Sequence, residues 1–183
     1  MKKSILIALT LLAALPALPA HAEAGPLTLL LAGGRENDAF HVSLTADGRF
    51  YVIRSAAPLE AGGDICSHPG DIPNELTCKA TAISGFEVNG LGGSDSVTFT
   101  TDVPVPVTIR GGPGNDQLTG GSASDKIIGG PDEDVLVGNG GDDWMLGGPG
   151  SDRLLGGAGN DQLRGGPDKD RLLGGPGQNF VLQ

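Results

Sequence analysis

Seven aspartates recur every nine residues through the second half of the chain: Asp116, Asp125, Asp134, Asp143, Asp152, Asp161 and Asp170, with Asn179 at the next interval. If the segments bearing them stack as parallel strands about 4.8 Å apart, the carboxylates form columns of like charge that repel one another. A divalent cation between neighbours turns that repulsion into attraction. Calcium suits such a column because it takes six to eight hard oxygen ligands, and tight turns leave backbone carbonyls free to supply those the carboxylates do not.

The elements that must position these aspartates are legible in the same repeat. From Gly111 to Leu182 the chain reads GGPGNDQLT, GGSASDKII, GGPDEDVLV, GNGGDDWML, GGPGSDRLL, GGAGNDQLR, GGPDKDRLL and GGPGQNFVL. Gly at positions one, two and often four excludes a helix, since each costs about 1 kcal/mol relative to Ala. The first six residues therefore read as a tight turn. Asp132 and Asp168 at position four belong to the few non-glycine types that tolerate left-handed backbone, and Ala123 fits that place least well. Positions seven to nine form a short strand. Its central residue (Leu118, Ile127, Leu136, Met145, Leu154, Leu163, Leu172 or Val181) faces inward. One aliphatic residue in nine is a thin core against an ordering cost of roughly 1–2 kcal/mol per residue, so a second source of stability is required. Without calcium the array reads as a flexible low-complexity segment.

The array resembles the hemolysin-type RTX calcium-binding repeat GGxGxDxUx. The resemblance implies an all-β fold, a right-handed parallel β-roll in which two nonapeptides make one coil, here four coils. It also implies calcium held between turns eighteen residues apart, by the position-six side chains of both turns and by turn carbonyls. At positions one and three those carbonyls belong to Gly111 and Pro113, Gly120 and Ser122, Gly129 and Pro131, Gly138 and Gly140, Gly147 and Pro149, Gly156 and Ala158, and Gly165 and Pro167. The alternation of position three supports the eighteen-residue coil independently, because every odd copy has Pro (Pro113, Pro131, Pro149 and Pro167) while the even copies have Ser122, Gly140, Ala158 and Pro176. The odd edge stacks four aspartates and offers three intervals. The even edge offers two full intervals and one weakened by the neutral amide of Asn179, giving about five good calcium sites and one weak one.

Residues 1–22 read as a secretory signal peptide: Lys2 and Lys3 precede an apolar run from Ile5 to Leu18, and Ala20-His21-Ala22 offers cleavage after Ala22. The run is interrupted by Pro16 and is too short to span a bilayer, and no later stretch is long enough either. Export is expected, and with it a disulfide between Cys66 and Cys78, the only two cysteines. Loss of Lys2 and Lys3 leaves 10 basic against 22 acidic residues, which excludes nucleic acid as a partner. Roughly six calcium ions would bring that charge close to neutral.

Residues 23–110 lack helical periodicity and read as a β-rich region, with strands at 27–32, 40–44, 50–53, 86–88, 96–100 and 105–109 and a hairpin at Thr45-Ala46-Asp47-Gly48. Its core is expected to be modest, so that the region either packs on, or continues into, the roll that occupies residues 111–183. Gly90–Thr98, GLGGSDSVT, reads as a worn copy of the repeat, with Phe99–Arg110 as an inserted strand pair; Gly33–His41, GGRENDAFH, reads as an ordinary turn. No H-E-x-x-H, G-x-S-x-G or phosphate-binding glycine loop is present, so a non-catalytic module is expected. Apolar residues fall at outward positions, Val135, Val137, Leu155 and Leu173 on one sheet, Ile128, Trp144, Leu146, Phe180 and Leu182 on the other; either the N-terminal strands and local packing cover much of them, or they serve self-association or adhesion. The alternative partner is a surface polysaccharide, for which Trp144, the only tryptophan, offers a stacking ring.

Overall fold

A computed structural model describes residues 7–10, 27–56, 65–70 and 72–183. The predicted cleavage site at Ala20-His21-Ala22 lies outside them. The fold is all-β apart from one 3-10 turn at Ala80–Ala82, and among the described residues no helix is long and apolar enough to cross a membrane.

The repeat produces one three-residue strand per copy, or a slightly longer one, at the predicted places. These are β10 (Gln117–Thr119), β11 (Lys126–Ile128), β12 (Val135–Gly140), β13 (Trp144–Leu146), β14 (Arg153–Ala158), β15 (Gln162–Arg164), β16 (Arg171–Leu173) and β17 (Phe180–Leu182). Successive strands fall on opposite sheets. Each pairs in parallel with the strand one coil away, so that Leu118 stands beside Leu136 and Ile127 beside Met145. Position eight faces the interior between the two sheets through most of the array, where Leu118, Ile127, Leu136, Met145, Leu154 and Leu163 are all buried; in the last coil Leu172 is half-buried and Val181 is exposed, because no further coil covers them.

The solenoid begins well before the array. Strands β8 (Ser96–Phe99) and β9 (Val107–Arg110) lie on opposite sheets, pairing in parallel with β10 and β11. They make a fifth coil ahead of the expected four. Phe99–Arg110 is thus not an inserted strand pair, because Val107–Arg110 is the second side of that coil, with a corner between them that buries Val103. Beyond it, β3 (Ala39–Leu44) pairs in parallel with β8, and β7 (Ile83–Asn89) with β9. Strand β2 (Leu27–Ala32) adds to β7 in parallel, and β1 (Ile7–Thr10) pairs antiparallel with β2. Between β3 and β7 the chain departs from the roll. The Thr45–Gly48 hairpin leads into β4 (Phe50–Ser55), and β6 (Glu75–Lys79) and β5 (Cys66–Ser67) extend the same sheet by antiparallel pairing.

The N-terminal core is larger than expected. Tyr51, Phe86 and Phe99 are buried together, with ring centroids 5.0 Å and 5.2 Å apart in edge-on and tilted contacts, alongside Leu29, Leu31, Ile53 and Leu76. Cys66 and Cys78 face one another across β5 and β6 and form the expected disulfide, with both residues buried. Replacing both by Ser should lower unfolding stability by on the order of 3 kcal/mol, the loop-closure value for such a spacing. Equilibrium urea unfolding of the oxidised chain and the double variant checks this.

Candidate metal centre

Each turn of the array carries its position-six Asp inward beneath its own backbone. Asp116, Asp134, Asp152 and Asp161 are each only 1 % exposed. One oxygen has a fixed partner, the position-six N–H of the turn one coil earlier. On the odd edge Asp116 N–H donates to Asp134 Oδ1 at 2.9 Å, Asp134 N–H to Asp152 Oδ1 at 2.9 Å, and Asp152 N–H to Asp170 Oδ1 at 3.0 Å. The even edge repeats this through Asp125, Asp143, Asp161 and Asn179. A second ladder runs the other way along the turn tips, where Glu133 N–H donates to Asn115 Oδ1 and Asn160 N–H to Asp142 Oδ1. Position five was not singled out in the sequence, and the Asn, Asp and Ser enrichment there was its available signal.

The other oxygen has no partner. Oδ2 of Asp95, Asp116, Asp134, Asp143, Asp152, Asp161 and Asp170 is buried without a hydrogen bond, a condition that costs free energy unless a ligand relieves it. What surrounds it is equally specific. A Cβ added to Gly111 would collide with Asp116 Oδ2 and lie 2.9 Å from the carbonyl oxygen of Gly129. At Gly147 the same atom would meet Asp152 Oδ2 and the Gly165 carbonyl oxygen at 2.8 Å. The missing side chain at position one leaves a cradle walled by the carboxylate of its own turn and the carbonyl of the next. Both walls are oxygen. Among the described residues no three His, Cys, Asp or Glu side chains converge, so a cation in the cradle must complete its shell with main-chain oxygens. That donor set fits calcium.

The expected carbonyl donors divide into two groups. Those of Gly129, Gly138, Gly147, Gly156 and Gly165 line the cradle of the turn one coil earlier, where those of Gly129, Gly147 and Gly165 also accept the N–H of Gly112, Gly130 and Gly148, and that of Gly111 lines the cradle at Gly90. Gly120, which opens the even edge, has its carbonyl bonded by Asn139 Nδ2. Position three lies farther out. Pro113, Ser122, Pro131, Pro149, Ala158 and Pro167 are exposed and Gly140 half-buried, and the carbonyls of Pro113, Pro131, Pro149 and Ala158 accept N–H groups of the turn before.

Two array positions differ from the rest. Asp125 has both oxygens satisfied, Oδ1 by Val107 N–H at 2.9 Å and Oδ2 by Gly121 N–H at 2.7 Å. Its turn contains no positive φ, whereas Asp132 and Asp168 take φ 86° at position four of theirs. Ala123 cannot adopt that conformation cheaply, and the turn instead closes on its own aspartate, with Ser122 N–H bonded to the Val103 carbonyl. The first even-edge interval is therefore less open than its sequence suggests. Asn179 also satisfies itself: Oδ1 accepts from Asp161 N–H, and Nδ2 donates to the Gly175 carbonyl at 2.8 Å.

The electrostatics follow from burial. Loss of water raises the carboxyls of Asp134 and Asp143 to about 7 and those of Asp116 and Asp125 to about 6, opposed by the N–H bonds they accept and, for Asp116, Asp134 and Asp143, reinforced by neighbouring aspartates. Asp95 and Asp152 shift in the same direction for the same leading reason.

Comparison with known proteins agrees with the geometry. Residues 110–145, 119–154 and 146–181 match the family model of the RTX calcium-binding nonapeptide repeat (4 copies). No curated protein and no solved structure matches the chain.

Raised carboxyl values fix the sign of the pH response. The folded, metal-free chain holds protons that the unfolded chain releases near the ordinary value of 3.8, so this contribution to stability is full below that value and is lost as pH rises through about 6 to 7. In EDTA the chain should gain β-structure when acidified from about pH 8 to about pH 5, while the calcium concentration needed for half-maximal binding should rise over the same interval. Circular dichroism at each pH, with and without calcium, reads both.

Proposed function

We propose that this chain is a secreted calcium-ion-binding module in which calcium, held between stacked turns, drives folding of the roll and so switches on a structural or adhesive surface outside the cell. The RTX repeats of residues 110–181 are calcium-binding repeats. The observation that carries the rest is the column of buried Oδ2 atoms with no hydrogen-bond partner. A fold that leaves seven carboxylate oxygens desolvated, six of them sharing a cradle with a carbonyl, has strong reason to remain unformed until a cation arrives. The ligand set is the position-six aspartates with the position-one carbonyls of the following turn. The intervals that begin at Asp116, Asp134, Asp143, Asp152 and Asp161 each keep an unpaired oxygen. Of these, the last meets Asn179, and the interval that begins at Asp125 is the self-closed one.

Export rests on the N-terminal sequence and the buried disulfide, a bond that suits an oxidising compartment. The adhesive role rests on the outer faces. Val135, Leu155 and Leu173 stand on adjacent strands of one sheet and are 38, 40 and 64 % exposed. Phe180 and Leu182 are open on the other sheet, where Ile128, Trp144 and Leu146 are half-buried. This favours association through an aliphatic stripe over recognition of a polysaccharide by Trp144, whose ring has the Lys126 ammonium 4.9 Å from its centroid.

A calcium titration of the secreted chain, followed by circular dichroism, tests coupled folding: β-structure should appear cooperatively with added calcium, and a spectrum already complete in EDTA would sink the idea. Sedimentation in millimolar calcium should show self-association that Leu155→Ser weakens; a monomer at every concentration removes the adhesive surface.

A further inference from the structure

The odd-edge column does not stop at the matched repeats. Asp95 N–H donates to Asp116 Oδ1 at 2.7 Å, and Asp38 N–H to Asp95 Oδ1 at 2.8 Å, the same bond that links array turns, although here the residues are 21 and 57 apart in sequence. Asp95 is 2 % exposed, and its Oδ2 is buried with no partner. A Cβ on Gly90 would collide with that oxygen and with the carbonyl oxygen of Gly111, the same two walls that line each array cradle. Gly90 N–H bonds the Arg110 carbonyl at 2.8 Å, which seats this turn on the first array turn.

We propose that a further calcium ion binds between the Gly90–Asp95 and Gly111–Asp116 turns, with Asp95, Asp116 and the Gly111 carbonyl among its ligands. The Gly90–Asp95 half of the site lies outside the residues matched by the family model, and GLGGSD departs from the repeat at position two, where Leu91 takes φ 78°. It deepens the calcium reading above and rests on it. The site belongs to this interval alone. The next turn outward does not repeat it, because Asp38 Oδ2 already accepts Gly34 N–H at 2.5 Å, the self-closed arrangement also found at Asp125. Each edge therefore begins with a turn that satisfies its own aspartate, and the open cradles follow. On the odd edge the first open cradle is formed by Asp95. A cation there lies at the base of β8, whose Val97 and Phe99 are buried in the aromatic core, and so ties the N-terminal half to calcium as well.

Native mass spectrometry of the calcium-loaded, disulfide-intact chain counts the ions. Asp95→Asn should carry one ion fewer than the parent, and Asp38→Asn the same number as the parent. Asp116→Asn should lose two, because Asp116 then serves the intervals on both sides; an end position would lose one. An unchanged count in Asp95→Asn overturns the proposal, as does the loss of a single ion in Asp116→Asn. If Asp95→Asn does not fold, the count in Asp116→Asn decides alone. A parent chain that carries no calcium would instead overturn the function proposed above, so the two failures are distinguishable.

Discussion

A carboxylate oxygen shut away from water without a donor is the condition on which the rest of this structure depends. The position-six Asp must turn beneath its own backbone for its Oδ1 to accept the N–H of the preceding coil. That posture carries Oδ2 into the space left by the position-one glycine. The stacking bond and the orphaned oxygen are therefore two ends of one side chain, and neither is available without the other. Glycine at position one is the steric corollary, since any Cβ would fill the cradle.

The hydrophobic interior then needs to do little in the second half and much in the first. Through the first six copies of the array one apolar side chain per copy fills the space between two sheets, and the turns, once their charge is neutralised, hold the coils together. Ahead of the array the even-edge column ends at Asp125 and the odd-edge column runs out at Asp38, and the chain changes means. Tyr51, Phe86 and Phe99 provide a conventional core, β4 to β6 widen one sheet, and the Cys66–Cys78 bridge fastens its far edge. The ionic half and the apolar half share one pair of sheets.

The regular half of this arrangement could be read from residue order, and the irregular half could not, for reasons that lie in particular positions. Strict spacing identified the strands β10 to β17, the inward column and the aspartates, because identical turns leave identical traces. Asp95 was recognisable as a worn position six, but its place as a ligand depends on Gly111 lying across from Gly90, and a 21-residue step hides that. The turn at Gly33–Asp38 was misjudged because Glu36 stands where a glycine is usual and its stacking partner is 57 residues away. Asp125 has the right residue type in the right place, and only the local backbone, set by Ala123 and the carbonyl of Val103, shows that its second oxygen is taken. Side-chain identity fixes which atoms can bind, and turn conformation decides which are left free to do so.

The register of the parallel ladders has a further consequence. Residues pair with those eighteen places away, position by position, through every coil of the array. Excising or duplicating eighteen contiguous residues anywhere within it would rejoin the ladders with no change of face, edge or partner. A change of nine would instead exchange the two edges and set proline-tipped turns upon Ser122- and Ala158-type turns. Length in this molecule is thus quantised and nearly free within its quantum. Whole coils can be added or removed without asking the rest of the fold to adapt.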